Sequence, residues 1–180
     1  MFDTLLAVIF IDGSELRAEE IRRMNPQLDL VVESLPTGFA TSSPDPEQRA
    51  RDKVLAHPVV GSCFAEAVDI TTIDGTSLRL ELDSENANRF TKWWRETPAK
   101  MLLRIAYRLA GASEIAIVAA SCDGRIADRP AGPLQLGWDR LFVPATNDRT
   151  LAELSLAGDP APFRVAAYRQ LLAALGNSPA

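Results

Sequence analysis

The chain is poor in the residues from which metal centres and disulfide frameworks are built: one histidine and two cysteines among 180 residues. Cys63 and Cys122 stand in neither a CxxC nor a CxxH spacing, which argues against a zinc site or a disulfide scaffold and fits a reducing cytoplasm. A basic excess is also missing. Nineteen Lys and Arg against 24 Asp and Glu leave a formal charge of −5 and a pI near 5.0. That balance excludes a general affinity for nucleic-acid polymers, so phosphates would have to be met in a local basic pocket. No apolar run reaches membrane length. The opening stretch from Met1 to Ile11 is apolar but short, carries Asp3, lacks a basic leader and runs into a turn, so it reads as a buried strand and not as a signal peptide. Repeats and low-complexity tracts are absent. What remains is an ordinary cytoplasmic composition, 47% apolar and 24% charged, long enough for one domain or for one domain built of two lobes.

The order of elements points to an α/β chain. Leu5 to Ile11 is a continuous apolar run, as expected of a strand covered on both faces. Ser14 then offers an N-cap for a helix from Glu15 to Met24, and Leu28 to Glu33 is a second strand. After a Pro/Ser-rich loop, Pro46 opens a charged helix to about Ala56. Ala67 to Thr72 and Ser77 to Leu82 flank the turn Asp74-Gly75 as a hairpin, in which Leu78, Leu80 and Leu82 alternate with Arg79 and Glu81. Helices are predicted over 88–95 and 98–110, the second on an apolar stripe of Met101, Leu102, Ile105 and Leu109. Strands are predicted over 114–120 and 141–144, and an amphipathic helix over 162–175. His57, the lone histidine, precedes Pro58 near a helix end and reads as structural or exposed.

One block carries more than secondary structure. Gly137 beside Trp138 lets backbone approach a planar ligand, with the indole as a packing face and Asp139 as an acceptor; read on the residues alone, the better reading has Trp138 and Phe142 as core and Asp139 capping a turn. Thr150 and Glu153 have the spacing of a capping box. The series Asp123-Gly124-Arg125-Ile126, Gly132, Gly137-Trp138-Asp139, Phe142, Pro144 and Thr150-Leu151-Ala152-Glu153-Leu154 resembles the block "G-x-I … G-(F)-G-(W/Y)-D-P-x-F-x-P … T-x-A-E-(L/M)" of the inosine triphosphate pyrophosphatase (non-canonical purine NTP pyrophosphatase) family. Phe90 to Trp94 is similar to its "Y-x-K-W-F" segment, and Asp12 to Ile21 falls where members have "T-G-N-x-x-K-x-x-E-(L/V)".

The resemblance implies a mixed central β-sheet flanked by helices, in two lobes with an active-site cleft between them. It also implies a divalent-metal-dependent reaction releasing a nucleoside monophosphate and pyrophosphate, with Mg²⁺ as cofactor and a homodimer as assembly. Carried over by position, Ser14 and Arg17 fall on phosphate-binding residues, Lys53 on an active-site lysine, and Gly137, Trp138, Asp139 and Arg164 on the base site. Asp69 is the match for the second acid of an "E-D-(T/S)" pair and thus a catalytic and metal candidate, with Asp83-Ser84 as the alternative alignment. The metal-binding Glu expected after Leu35-Pro36 is Thr37, for which Glu47 or Glu66 would substitute.

Several positions depart from the family. Val68 breaks the acid pair, Pro162 and Phe163 replace the Ser-His that precedes Arg164, and the segment between about 111 and 124 has room for one strand, predicting a single domain over 1–180 with a shortened sheet. The substrate class implied is non-canonical purine or otherwise modified nucleoside triphosphates. Two alternatives stand beside hydrolysis: nucleotide binding without efficient turnover, and recruitment to nucleotide-derived specialised metabolism.

Overall fold

The computed structural model describes residues 6–26, 28–58, 61–78 and 84–176. Six strands form one mixed sheet in the order β2-β1-β3-β4-β5-β6: β1 (Leu6–Ile11), β2 (Leu28–Glu33), β3 (Ser62–Thr72), β4 (Pro98–Arg108), β5 (Ala116–Ile126) and β6 (Phe142–Pro144). The helices are α1 (Glu15–Met24), α2 (Pro46–Ala56), α3 (Ser84–Trp94), α4 (Leu151–Leu156) and α5 (Pro162–Gly176), with a 3-10 segment over Leu134–Arg140. This is the α/β architecture of a mixed sheet flanked by helices that the sequence implied. Among the described residues no helix is long and apolar enough to cross a membrane. The second arm of the expected hairpin, 79–83, and with it Asp83, lies outside the described residues; Thr71 and Ser77 do pair as an antiparallel bridge across the Asp74-Gly75 turn.

The chain divides into two compact units. The first comprises Met1–Ala67, Arg104–Ala119 and Val165–Ala180. Here β1 runs parallel to both β2 and β3, with Ile11 opposite Glu33 on one side and Ala65 on the other. Val8, Phe10 and Ile11 of this central strand are buried and Ile9 partly so, while Ala7 is exposed. Phe10 stacks on Phe64 at 4.6 Å, while Ile11, Ala50, Val54, Cys63, Ala65 and Ala106 close a separate core cluster. Ser14 caps α1 by accepting from the Arg17 amide at 3.2 Å.

The second unit comprises Val68–Leu103 and Ala120–Arg164. Its core joins Ile70, Phe90, Met101, Ile126, Leu141, Phe142 and Leu151. The antiparallel pair of β5 and β6 sets Gly124 against Pro144. A Cβ at Gly124 would sit 2.2 Å from the Val143 carbonyl oxygen and 2.7 Å from the Phe142 ring. Backbone cannot retreat as a flexible side chain can, so Gly124→Ala is expected to destabilise by ~1–3 kcal/mol. Urea denaturation reads this directly, and an unmoved midpoint would show that β6 can shift aside.

One prediction is corrected. Residues 98–108 form a strand, not a helix. The burial alternates: Ala99, Met101, Leu103 and Ile105 are buried, whereas Pro98 and Lys100 are exposed and Leu102 and Arg104 half-buried. The apolar set at 101, 102, 105 and 109 also fits a helical stripe because Leu102, on the half-buried face, is apolar, although the burial itself follows the two-residue period of a strand. The single strand expected over 114–120 is present as β5, and with 98–108 also a strand, β4 and β5 are each eleven residues long.

Candidate functional site

The loop from Ala131 to Leu141 is built to expose a precise backbone. Gly137 interrupts the 3-10 segment at φ 49°, ψ −120°, a conformation that costs a side-chain-bearing residue dearly. The space around it is open, so the backbone angle is what requires glycine. Trp138 is half-buried against the core of the second unit, edge-on to Phe90 at 5.4 Å. One part of the indole packs against this core and another is left exposed. Phe142 is fully buried core.

Asp139 does more than shape a turn. Its Oδ1 accepts from Arg164 Nη2 at 2.7 Å, and the two side chains are only 3% and 2% exposed. Phe163, at the position of the expected histidine, packs against the same core, with the Arg164 guanidinium 5.5 Å from its ring centre. Substitution of the Ser-His pair thus leaves apolar packing that holds Arg164, in place of two polar groups.

The capping box anchors this loop. Thr150 Oγ1 accepts from the Glu153 amide at 3.2 Å, and Glu153 Oε2 accepts from the Thr150 amide at 2.8 Å. The same hydroxyl lies 3.0 Å from the Ala131 carbonyl, and Arg140 Nε donates to the Gly132 carbonyl at 2.9 Å. Thr150→Ala removes both the cap and the tie to Ala131, so a loss of ~1–2 kcal/mol is expected by chemical denaturation. A loss below a few tenths would show that the loop is held by packing alone.

A second set of groups lies in the first unit, at the carboxyl ends of its parallel strands, where α/β sheets generally place ligands. Asp12 follows β1 with φ 55°, its amide donating to the Glu33 carbonyl at 2.7 Å. Lys53, on α2, reaches Asp12 Oδ2 at 2.8 Å and the Glu66 carbonyl at 3.1 Å, with its side chain 19% exposed. Glu66 accepts at Oε1 from the hydroxyl of buried Tyr168. Glu33 faces His57 Nε2 at 3.1 Å; that histidine is buried at the end of α2.

The remaining candidates are less open. Arg17 is buried and ion-paired with Glu20 one turn along α1, so its charge is already engaged. Ser14 is the α1 cap. Glu47 holds Arg51 across one turn of α2 at 3.1 Å. Asp69 is 2% exposed, its carboxylate accepting from Ser77 Oγ at 3.0 Å and from the Ile70 amide. These bonds tie β3 to the turn that follows it. Among the described residues no three His, Cys, Asp or Glu are grouped to hold a metal. Mg²⁺ is commonly bound by one or two carboxylates plus substrate phosphates. Asp12 and Glu33, on adjoining strand ends and partly exposed, could meet that requirement more readily than buried Asp69.

Known proteins match the base-loop block in sequence and the whole chain in fold. The model of the Ham1 family matches residues 76–174, more than half of the chain and the whole of the base-loop block. The chain belongs to the Ham1 family. Solved structures agree in fold: a HAM1 protein from Coxiella burnetii (16% identity, 96% of this chain and 99% of that one, TM-score 0.65) and the Ham1 protein of Staphylococcus aureus (16%, 94% and 98%, 0.59). A nucleoside-triphosphatase / dITP/XTP pyrophosphatase from Mycobacterium abscessus superposes with TM-score 0.50 at 17% identity, over 95% and 97% of the chains. No curated protein matches. As a Ham1 family member the chain falls in a family of nucleotide pyrophosphatases, in accord with the resemblance first carried by residues 123–154.

Cys122 is a half-buried side chain the motif did not single out. It lines a cavity of about 390 Å³ in the second unit, together with Phe163, Pro162, Asp159 and Asn147. Burial pushes its thiol pKa up, Asp123 adds to this and Arg164 opposes it, so it stays a thiol near neutral pH and is a poor nucleophile.

Proposed function

We propose that this Ham1 protein hydrolyses nucleoside triphosphates to the monophosphate and pyrophosphate, taking non-canonical or modified nucleotides with only modest base selectivity. The observation that carries the reading is the buried Asp139–Arg164 pair beside the strained Gly137 and half-exposed Trp138. An aromatic face and open backbone suit a planar base, and the buried Asp139–Arg164 pair fixes the loop that presents them. The carboxyl-end cluster of the first unit, taken by itself, offers Lys53 for phosphate charge and Asp12 and Glu33 as oxygen donors for Mg²⁺. The cation, when bound, neutralises phosphate charge as it shifts towards the leaving group. The dITP/XTP activity in the name of the Mycobacterium abscessus protein supports the same class.

Purified protein with Mg²⁺ and ITP, XTP, dUTP or the common triphosphates tests this through pyrophosphate release. Absence of release from every one would count decisively against it. Selectivity follows from Pro162 and Phe163. A site rejects a wrong base strongly when buried polar groups would be left unpaired, and here an aromatic ring packed on Arg164 takes the place of two such groups. The ratio of kcat/KM for ITP over ATP is therefore expected below ~10²; a larger ratio would show that other groups read the 6-position.

A further inference from the structure

We propose that Glu66 is the carboxylate that activates the attacking water, and that Tyr168 is the residue that positions it. The inference rests on the pyrophosphatase reading and adds to it the group that handles the proton. A water-activating carboxylate must be able to reach solvent and must be held in one orientation. Asp69, the acid that the motif suggests, is buried and its carboxylate ties β3 to the next turn through Ser77 and Ile70. Glu66 is half-buried on the same strand.

Residues two apart on a strand share a face, so Glu66 lies on the face of Val68, where the acid pair is broken. It thus returns a carboxylate to that face one pleat repeat earlier. Its setting differs from that of an ordinary surface acid. The Glu66 carbonyl receives Lys53 Nζ at 3.1 Å, and Lys53 is in turn held by Asp12 at 2.8 Å. The Glu66 carboxylate receives the hydroxyl of Tyr168, a fully buried tyrosine. Main chain and side chain of one residue therefore fix a cation and a carboxylate together. Tyr168 follows Arg164 by one turn of α5, so the two share a helix face.

In the step, the water oxygen bonds to the α-phosphorus while its proton passes to the Glu66 carboxylate. The bond from that phosphorus to the α,β-bridging oxygen breaks, and its electron pair leaves on pyrophosphate. The Tyr168 hydroxyl fixes the carboxylate and touches neither substrate nor water.

The test compares wild type, Glu66→Gln, Glu66→Ala and Tyr168→Phe on the best triphosphate with Mg²⁺, with affinity for a non-hydrolysable analogue measured by calorimetry. Glu66→Gln is expected to lower kcat by ~10² or more, with analogue affinity within about threefold. Tyr168→Phe is expected to lower kcat about tenfold, also with unchanged affinity, since it disturbs orientation alone. Added formate should restore part of the Glu66→Ala rate, which no purely structural role of Glu66 allows, and thermal midpoints confirm that each variant folds. A Glu66→Gln rate within threefold of wild type, or a Glu66→Ala variant that formate does not rescue, overturns the assignment while leaving the pyrophosphatase reading in place. A wild type inert toward every triphosphate removes both.

Discussion

Replacing Arg164 by Met is expected to destabilise the folded chain by about 3–5 kcal/mol, the largest loss from any single change at the base loop. The guanidinium and the Asp139 carboxylate are 2% and 3% exposed and meet at 2.7 Å. Removing the cation strands a carboxylate in a medium that cannot solvate it, and that uncompensated charge costs more than the pair contributes. The pair itself is close to neutral in net worth. A double variant, Asp139→Leu with Arg164→Met, is therefore expected to recover much of the lost stability, although it would lose nucleotide affinity as fully as the single one. Urea denaturation of the wild type, both singles and the double gives the coupling energy. A loss below ~1 kcal/mol for Arg164→Met would mean that Asp139 finds another donor, and would weaken the case for a fixed guanidinium at the base. For a chain of this size, a 3–5 kcal/mol loss lowers the thermal midpoint by on the order of 10 °C. Affinity must accordingly be compared at a temperature where both forms are folded.

How much of this was legible in the sequence depended on the range of the interaction concerned. Local signals were read well: α1 and β2 fall as predicted, the Ser14 cap and the Thr150–Glu153 capping box are both formed, and Pro46 opens α2. The family block pointed to Asp139 and Arg164 as site residues, but no spacing rule tells that residues 25 apart form one buried pair. The same limit hid Tyr168 on Glu66, a contact 102 residues apart. β4 failed for a different reason. Leu102 on its half-buried face interrupts the polar alternation, and the periodicity then fits a helix as readily as a strand. The roles of Arg17 and Asp69 were inferred from position. Their burial and partners are tertiary facts, and these show each occupied in a local bond, with Glu20 and with Ser77. Phe90 to Trp94 split in the way an amphipathic helix does: Phe90 is core, Trp94 packs against it, and Trp93 stands 65% exposed under the Arg89 guanidinium.

Lys53→Met should show the opposite profile to Arg164→Met: activity lost, stability retained. Lys53 Nζ has two oxygen partners, Asp12 Oδ2 and the Glu66 carbonyl, but Asp12 is about half exposed and can return to water. Exposed pairs of this kind contribute little, so the unfolding free energy is expected to change by less than ~1 kcal/mol. The effect on a triphosphate is larger because it has two parts. A positioned cation is removed from the developing phosphate charge, and Asp12, no longer neutralised, then repels the incoming anion. Loss of one well-placed donor commonly costs ~10²–10³ in rate, and kcat/KM is expected to fall by at least that much. Lys53→Arg keeps the charge yet changes a compact ammonium for a wide planar fork, so an intermediate rate is expected. The repulsive share is the part that salt should screen. Raising ionic strength is therefore expected to narrow the gap between wild type and Lys53→Met. A Lys53→Met protein that hydrolyses its best triphosphate within threefold of wild type would sever this cluster from the reaction.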